Sequence, residues 1–200
     1  CALPIYLVVR NGVISYQKAS GLAMFSGIVI FCFYSFIRLK EMLPVEEYGY
    51  DAIFFILLIL CFAWGGDTCA YFAGRAFGKH KLCPVVSPKK TVEGAIGGVL
   101  GTMVFGVLVT VIYSIAADRM EEFTRSNIGV SMYVIIALLA CVAAVLGIYG
   151  DLFASVIKRQ CGIKDYGTIF PGHGGILDRF DSVMFIAPFV TMVVIAAFYN

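Results

Sequence analysis

Apolar residues run through this chain in long blocks rather than in the short alternations of a soluble domain. Five stretches are free or nearly free of charge: roughly Gly21 to Ile37, Ala52 to Gly66, Ala95 to Ala117, Ser131 to Gly150 and Ser182 to Phe198. Each is close to the roughly 20 residues that cross a bilayer core as helix. The pattern predicts an all-α fold, a polytopic membrane helix bundle of about five spans. A further apolar piece, Ala2 to Val9, is too short to span or to be a complete signal peptide. Because the chain starts at Cys1, that piece reads as the remnant of another helix, with upstream helices missing. No repeat, low-complexity tract or long linker is present, so residues 1–200 are expected to form a single membrane-embedded domain.

Composition agrees: 60% of residues are hydrophobic and only 14% are charged, which excludes an ordinary soluble domain. The net charge of +2 conceals an asymmetry. Arg75, Lys79, Lys81, Lys89 and Lys90 follow the second span, and Lys158, Arg159, Lys164 and Arg179 follow the fourth. The alternate connections mix Lys40, Arg119 and Arg125 with more numerous acids. By the positive-inside tendency the two basic connections face the cytosol and the C-terminus lies outside.

Seven cysteines suggest no disulfide framework. Cys32, Cys61, Cys69 and Cys141 lie in or beside apolar spans, Cys83 and Cys161 fall in loops assigned to a reducing compartment, and no CxxC pair occurs. Packing filler is the better reading. Gly94 with Gly98, and Gly97 with Gly101, form two overlapping GxxxG steps where helices can approach closely. The partner helix is left open between the same chain and a second copy, so a homodimer is one reading of that face.

The acids carry the functional argument. Carboxylates at membrane depth are rare because each costs about 2.5–3.5 kcal/mol on insertion scales. Asp67, Asp151, Asp178 and Asp181 are all expected at span ends on the cytosolic side, with Asp178 and Asp181 at i and i+3 on one helix face if the last span begins near Ile176. Such like charges repel unless a cation lies between them or one is protonated. Oxygen donors without a thiolate cluster or histidine pair suit magnesium, completed by water and substrate phosphate. The bland alternative is a set of interfacial salt bridges to Arg75, Lys158, Arg159 and Arg179.

The segment Ser87-Pro88-Lys89-Lys90-Thr91, leading to Glu93 and a glycine-rich helix start, can offer N–H groups, a hydroxyl and ammonium groups to phosphate oxygens. Gly172-His173-Gly174-Gly175 could let backbone approach a ligand closely, although a lone histidine in a turn is more often structural. Neither a Walker A sequence nor a GxSxG elbow is present. The residues alone therefore point to a cytosol-facing, metal-dependent phosphate site at the membrane surface, and they leave its substrate unnamed.

The run Ser155-x-x-Lys158-Arg159-x4-Lys164-Asp165-x-Gly167-x2-Phe170-Pro171-Gly172-His173-Gly174-Gly175-x-x-Asp178-Arg179-x-Asp181 resembles the signature of the phosphatidate cytidylyltransferases, or CDP-diacylglycerol synthases. A second block is similar to the bacterial members: Gly66-Asp67-Thr68 through Tyr71, Gly74-Arg75, Gly78-Lys79 and Ser87 to Lys90 with Thr91-x-Glu93-Gly94. The resemblance implies transfer of a cytidylyl group from CTP to phosphatidate with magnesium, beside which potassium is the expected second cation. It implies Asp151 and Asp178 as metal ligands, with Asp181 contributing; these three with Lys158, Arg159 and Arg179 are the catalytic candidates. Asp67 is placed nearby. Lys89 and Lys90, with Ser87 and Thr91, are candidates for the CTP phosphates; Lys158, Arg159 and Arg179 for phosphatidate or departing pyrophosphate. Lys164, Asp165 and His173 join the substrate-binding candidates. The expected partners are CTP, phosphatidate and membrane lipid, with no nucleic acid, at the inner (plasma) membrane. Rival readings are another CTP-dependent lipid enzyme, such as a polyprenol or phytol kinase or an archaeal-lipid cytidylyltransferase, and from another class a cation transporter.

Overall fold

The computed structural model describes residues 16–119, 129–163, 165–167 and 175–198. Hydrocarbon offers no partner for a free backbone N–H or C=O, and the apolar blocks accordingly form helices that satisfy those groups internally. In order they are α1 (Tyr16–Met42), the short α2 (Val45–Tyr48), α3 (Asp51–Phe77), α4 (Val92–Arg119), α5 (Val130–Gln160) and α6 (Val183–Phe198). Four are long and apolar enough to cross a membrane, and α6 is a shorter apolar helix. The polytopic helical bundle expected from the pattern is thus present.

Three local features differ from the expectation. Between α3 and α4 the chain forms an antiparallel hairpin of β1 (Lys81–Cys83) and β2 (Ser87–Thr91), pairing Lys81 with Thr91 and Cys83 with Ser87. Next, α3 and α5 continue well past Asp67 and Asp151, so these two acids lie inside helices and not at their ends. Lastly, Asp178 sits in a 3-10 turn, Leu177–Arg179, and α6 begins only at Val183. Asp178 and Asp181 are therefore brought together by a tight turn rather than by one face of the last helix.

The packing shows why α4 is rich in glycine. Its buried positions, Gly94, Gly98, Thr102, Gly106, Thr110 and Tyr113, recur every three or four residues and make one stripe. A methyl group at Gly97 would collide with Ala73 of α3, and one at Gly101 with Cys69. The small-residue face is thus used within the chain, against α3, and gives no ground for a second copy. Hydroxyls on the stripe return to their own helix: Thr102 Oγ1 donates to Gly98 O and Thr110 Oγ1 to Gly106 O, each at 2.8 Å.

Phe54, Phe55, Leu58, Ile59 and Phe62 of α3 meet Ile136 and Ala140 of α5 and Ile186 and Val190 of α6 in one core. At the α3 start, fully buried Asp51 accepts a 2.9 Å hydrogen bond from Tyr113. Large apolar side chains such as Phe31, Leu100, Val104 and Leu138 point outward, more than half exposed, as lipid-facing positions should. Across the described residues the cysteines are free, as expected.

Candidate active site

A cleft of about 530 Å³ opens at one end of the bundle, where α3, the hairpin, the start of α4, the later part of α5 and the turn before α6 converge. The start of α4 is held firmly. Thr91 Oγ1 accepts from Gly94 N–H at 3.1 Å, capping the helix. Glu93, in the first turn, accepts the backbone N–H groups of Lys79 and His80 and lies 2.6 Å from His80 Nδ1. These contacts tie the hairpin to the helix and fix the wall that bears Lys89 and Lys90.

The carboxylates are held by two ammonium groups. Lys90 from β2 pairs with Asp151 Oδ2 across the cleft. Lys158 of α5 lies 2.9 Å from Asp178 Oδ1 and 3.9 Å from Asp181 Oδ2, bridging both. Asp178 Oδ2 also accepts the N–H groups of Tyr166 and Gly175, both at 2.8 Å. Burial alone would raise the Asp178 pKa, but the two N–H donors and Lys158 outweigh it and hold the carboxyl below the usual range. Asp181 behaves oppositely: burial, then the charge on Asp151, push it up to about 7 against the pull of Lys158.

Other contacts aim the aspartate-bearing turn. Trp64 Nε1 donates to Arg179 O at 3.0 Å, and its ring meets Phe180 edge-on with centroids 5.9 Å apart. One helical turn later on α3, Asp67 Oδ2 accepts from Ser182 Oγ at 2.9 Å. Two residues of one α3 face therefore grip the segment from Arg179 to Ser182. Gly150 lets that segment lie against α5, since a Cβ there would stand 2.7 Å from Asp181 O. Tyr166 donates its hydroxyl to Ala154 O at 3.0 Å, and Lys158 Nζ sits 5.3 Å above its ring. Burial, followed by the charge on Asp178, pushes this phenol up to about 12, so it remains a donor.

Most of the candidates drawn from the sequence line this one cleft. Asp67, Asp151, Asp178 and Asp181 do, as do Lys89, Lys90 and Thr91 on the opposite wall. Lys158, Asp165 and Arg179 complete the set, joined by Tyr71 and Arg75. Two fall outside the lining: Ser87 stands farther out on β2, and Arg159 is exposed near the α5 end, one residue round from Lys158. Lys164 and His173 lie outside the described residues. Trp64, Tyr166 and Ser182 were not among the candidates; their partners lie 115, 12 and 115 residues away, beyond any local spacing.

A divalent cation fits this chemistry in one specific way. Among the described residues no three Asp, Glu, His or Cys side chains gather tightly enough to hold a metal alone. Two carboxylates do share one cation, the Lys158 ammonium, and a third holds Lys90. Magnesium would therefore take one or two carboxylates, with water and phosphate oxygens filling the remaining positions, which is its usual habit.

The sequence profile of the Cytidylyltransferase family matches residues 2–197. The chain belongs to that family. Among its relatives in this cytidylyltransferase family is the phosphatidate cytidylyltransferase of Bacillus subtilis (strain 168), 32% identical over 185 residues, or 92% of this chain and 61% of the relative. The proteins of the same name from Staphylococcus haemolyticus (strain JCSC1435) and Staphylococcus aureus (strain COL) are 39% and 40% identical over 145 residues, 72% of this chain and 50% of each relative. This cytidylyltransferase-family chain thus spans about half to three fifths of the curated relatives it matches.

Proposed function

We propose that this chain carries the reaction centre of a phosphatidate cytidylyltransferase, which converts CTP and phosphatidate to CDP-diacylglycerol and pyrophosphate at the cytosolic face of the plasma membrane. The observation that carries the reading is the meeting of four aspartates with Lys89, Lys90, Lys158 and Arg179 in one cleft at the end of a membrane bundle. The names of the relatives supply the substrates. Basic residues crowd the same end, which supports a cytosolic orientation.

A phosphatidate oxygen attacks the α-phosphorus of CTP; the new P–O bond forms as the bond to the bridging oxygen breaks, and pyrophosphate leaves. Phosphatidate is already anionic, so no dedicated base is required. The demand is to hold two polyanions in line and to neutralise their charge. Magnesium, with potassium as a second cation, would supply part of that neutralisation. Asp151 and Asp178 would hold the metal, with Asp181 contributing beside them, and Asp67 steadies Ser182 and the turn next to it. Lys89 and Lys90 take the CTP phosphates, with Thr91 fixing their strand. Lys158 and Arg179 face the lipid phosphate or the leaving pyrophosphate.

The test is pyrophosphate release from CTP by the detergent-purified chain. Release should require both phosphatidate and magnesium and be matched by CDP-diacylglycerol. CDP in place of pyrophosphate would mean a kinase. Asp151→Asn, which keeps shape but removes charge, should lower turnover about 100-fold or more with the fold intact. Normal turnover in that variant would refute the metal-site assignment.

A further inference from the structure

The hairpin ends in an unusual tip. Its three-residue turn is Pro84-Val85-Val86, and Val85 is 92% exposed, more than any other large apolar side chain among the described residues. Turns of this kind ordinarily use Gly, Pro, Asn, Asp or Ser, so Pro84 fits its place and Val85 does not. The Val85 side chain is packed against almost nothing in this chain.

The surroundings of the tip indicate what it meets. Lys79, Lys81 and Lys89 are exposed on the hairpin and its approach, and no acidic residue occurs from Arg75 to Thr91. Phe72 and Phe77, 63% and 71% exposed, continue the outward apolar surface of α3 to the hairpin base. The hairpin joins the ends of two neighbouring membrane-crossing helices. Strands this short reach about 17 Å at most, so the tip stays within that distance of the two helix ends that the hairpin joins. An apolar tip, cationic flanks and continuity with a lipid-facing surface match an element lodged in an anionic interface.

We propose that the hairpin tip, Pro84 to Val86, inserts into the headgroup region of an anionic leaflet, with Lys79 and Lys81 set against the lipid phosphates. This pins to the membrane the wall that carries Lys89 and Lys90. The proposal stands on the membrane architecture and does not depend on the reaction assigned to the cleft.

An environment-sensitive fluorescent amino acid placed at position 85 of the whole chain, reconstituted in nanodiscs, tests it. Nitroxide-bearing lipids should quench the probe and its emission should shift to the blue, both more strongly in discs containing anionic lipid than in purely zwitterionic ones. Replacing Lys79→Gln and Lys81→Gln should weaken the anionic preference about five-fold per lysine, equivalent to ~1 kcal/mol each. Water-like emission without quenching in both membranes would overturn insertion, and equal quenching in both would overturn the anionic preference. Shielding seen only in discs that hold two copies would assign the tip to a contact between chains and likewise overturn the proposal. Neither readout involves turnover, so a catalytically inactive protein serves equally well.

Discussion

Gly97→Ala isolates the helix contact on which the cleft rests. The added methyl would overlap the Cβ of Ala73 on α3, and restoring an ordinary contact requires the two helices to part by about 1.5 Å. Neither neighbour has a flexible side chain that could turn aside, so the strain passes to the backbones. Overpacking of this kind costs about 1–3 kcal/mol. At about 2–4 °C per kcal/mol for a chain of this size, the midpoint of thermal unfolding should fall by roughly 4–8 °C for a mid-range penalty. The same displacement separates α3, which carries Asp67 and Trp64, from the start of α4 beside Lys90. A misplacement near 1 Å can lower turnover about 100-fold. The assay is thermal unfolding in a fixed detergent together with cytidylyl transfer. Ala73→Gly alone should be mildly destabilising, yet combined with Gly97→Ala it should restore most of both losses. A Gly97→Ala protein with unchanged melting and turnover would refute the argument, as would a double variant that is no better than Gly97→Ala.

Lys90→Met removes the ammonium from Asp151, whose side chain is 24% exposed; the metal-free protein should lose about 1–2 kcal/mol, and saturating magnesium should narrow the gap to wild type in the same melting assay. A gap unaffected by magnesium would count against a cation at Asp151. Asp181, pushed up to about 7 from an ordinary 3.8, keeps its proton in the folded state across that window after the unfolded chain has released it. Stability of the metal-free protein from this group should therefore fall as pH rises from about 4 to 7, and apparent magnesium affinity should rise over the approach to pH 7 and then level off. Calorimetric titration at several pH values checks the second trend. Trp64→Phe keeps the ring against Phe180 but deletes the donor to Arg179 O, and should lower turnover about five- to ten-fold with little change in the Michaelis constant for CTP. Full activity would show that this bond does not position the turn.

The spans were legible because a helix in hydrocarbon needs a long apolar run and little else, and α4 and α5 match their runs closely at the apolar core. The cleft was legible for the complementary reason: ionisable residues are so scarce in this chain that Asp67, Asp151, Asp178 and Asp181 stand out. The hairpin was hidden because Lys81 to Thr91 shows no apolar alternation and reads as any basic connecting loop. The continuation of α3 and α5 past their acids was hidden too, since each carries basic residues beyond them, Arg75 on α3 and Lys158 and Arg159 on α5, and so no longer looks like a span. The grip of Trp64 and Asp67 on the Arg179–Ser182 segment is a contact between distant parts of the chain, which no spacing rule encodes.

The position of Asp67 along α3 also bears on kinetics. It lies about 24 Å from the helix start, with about 15 Å of helix still to come. A hydrocarbon layer of about 30 Å would thus end a little beyond this aspartate, and the remaining turns of α3 form a shaft wall above it. For the proposed function, a nucleotide would descend that shaft from water, while a lipid phosphate would arrive sideways within its own leaflet. Two such separate routes would let one reactant enter without the other leaving. For the proposed transfer this geometry calls for sequential kinetics through a ternary complex, with the polar product returning up the shaft and the lipid product remaining in the plane of the membrane.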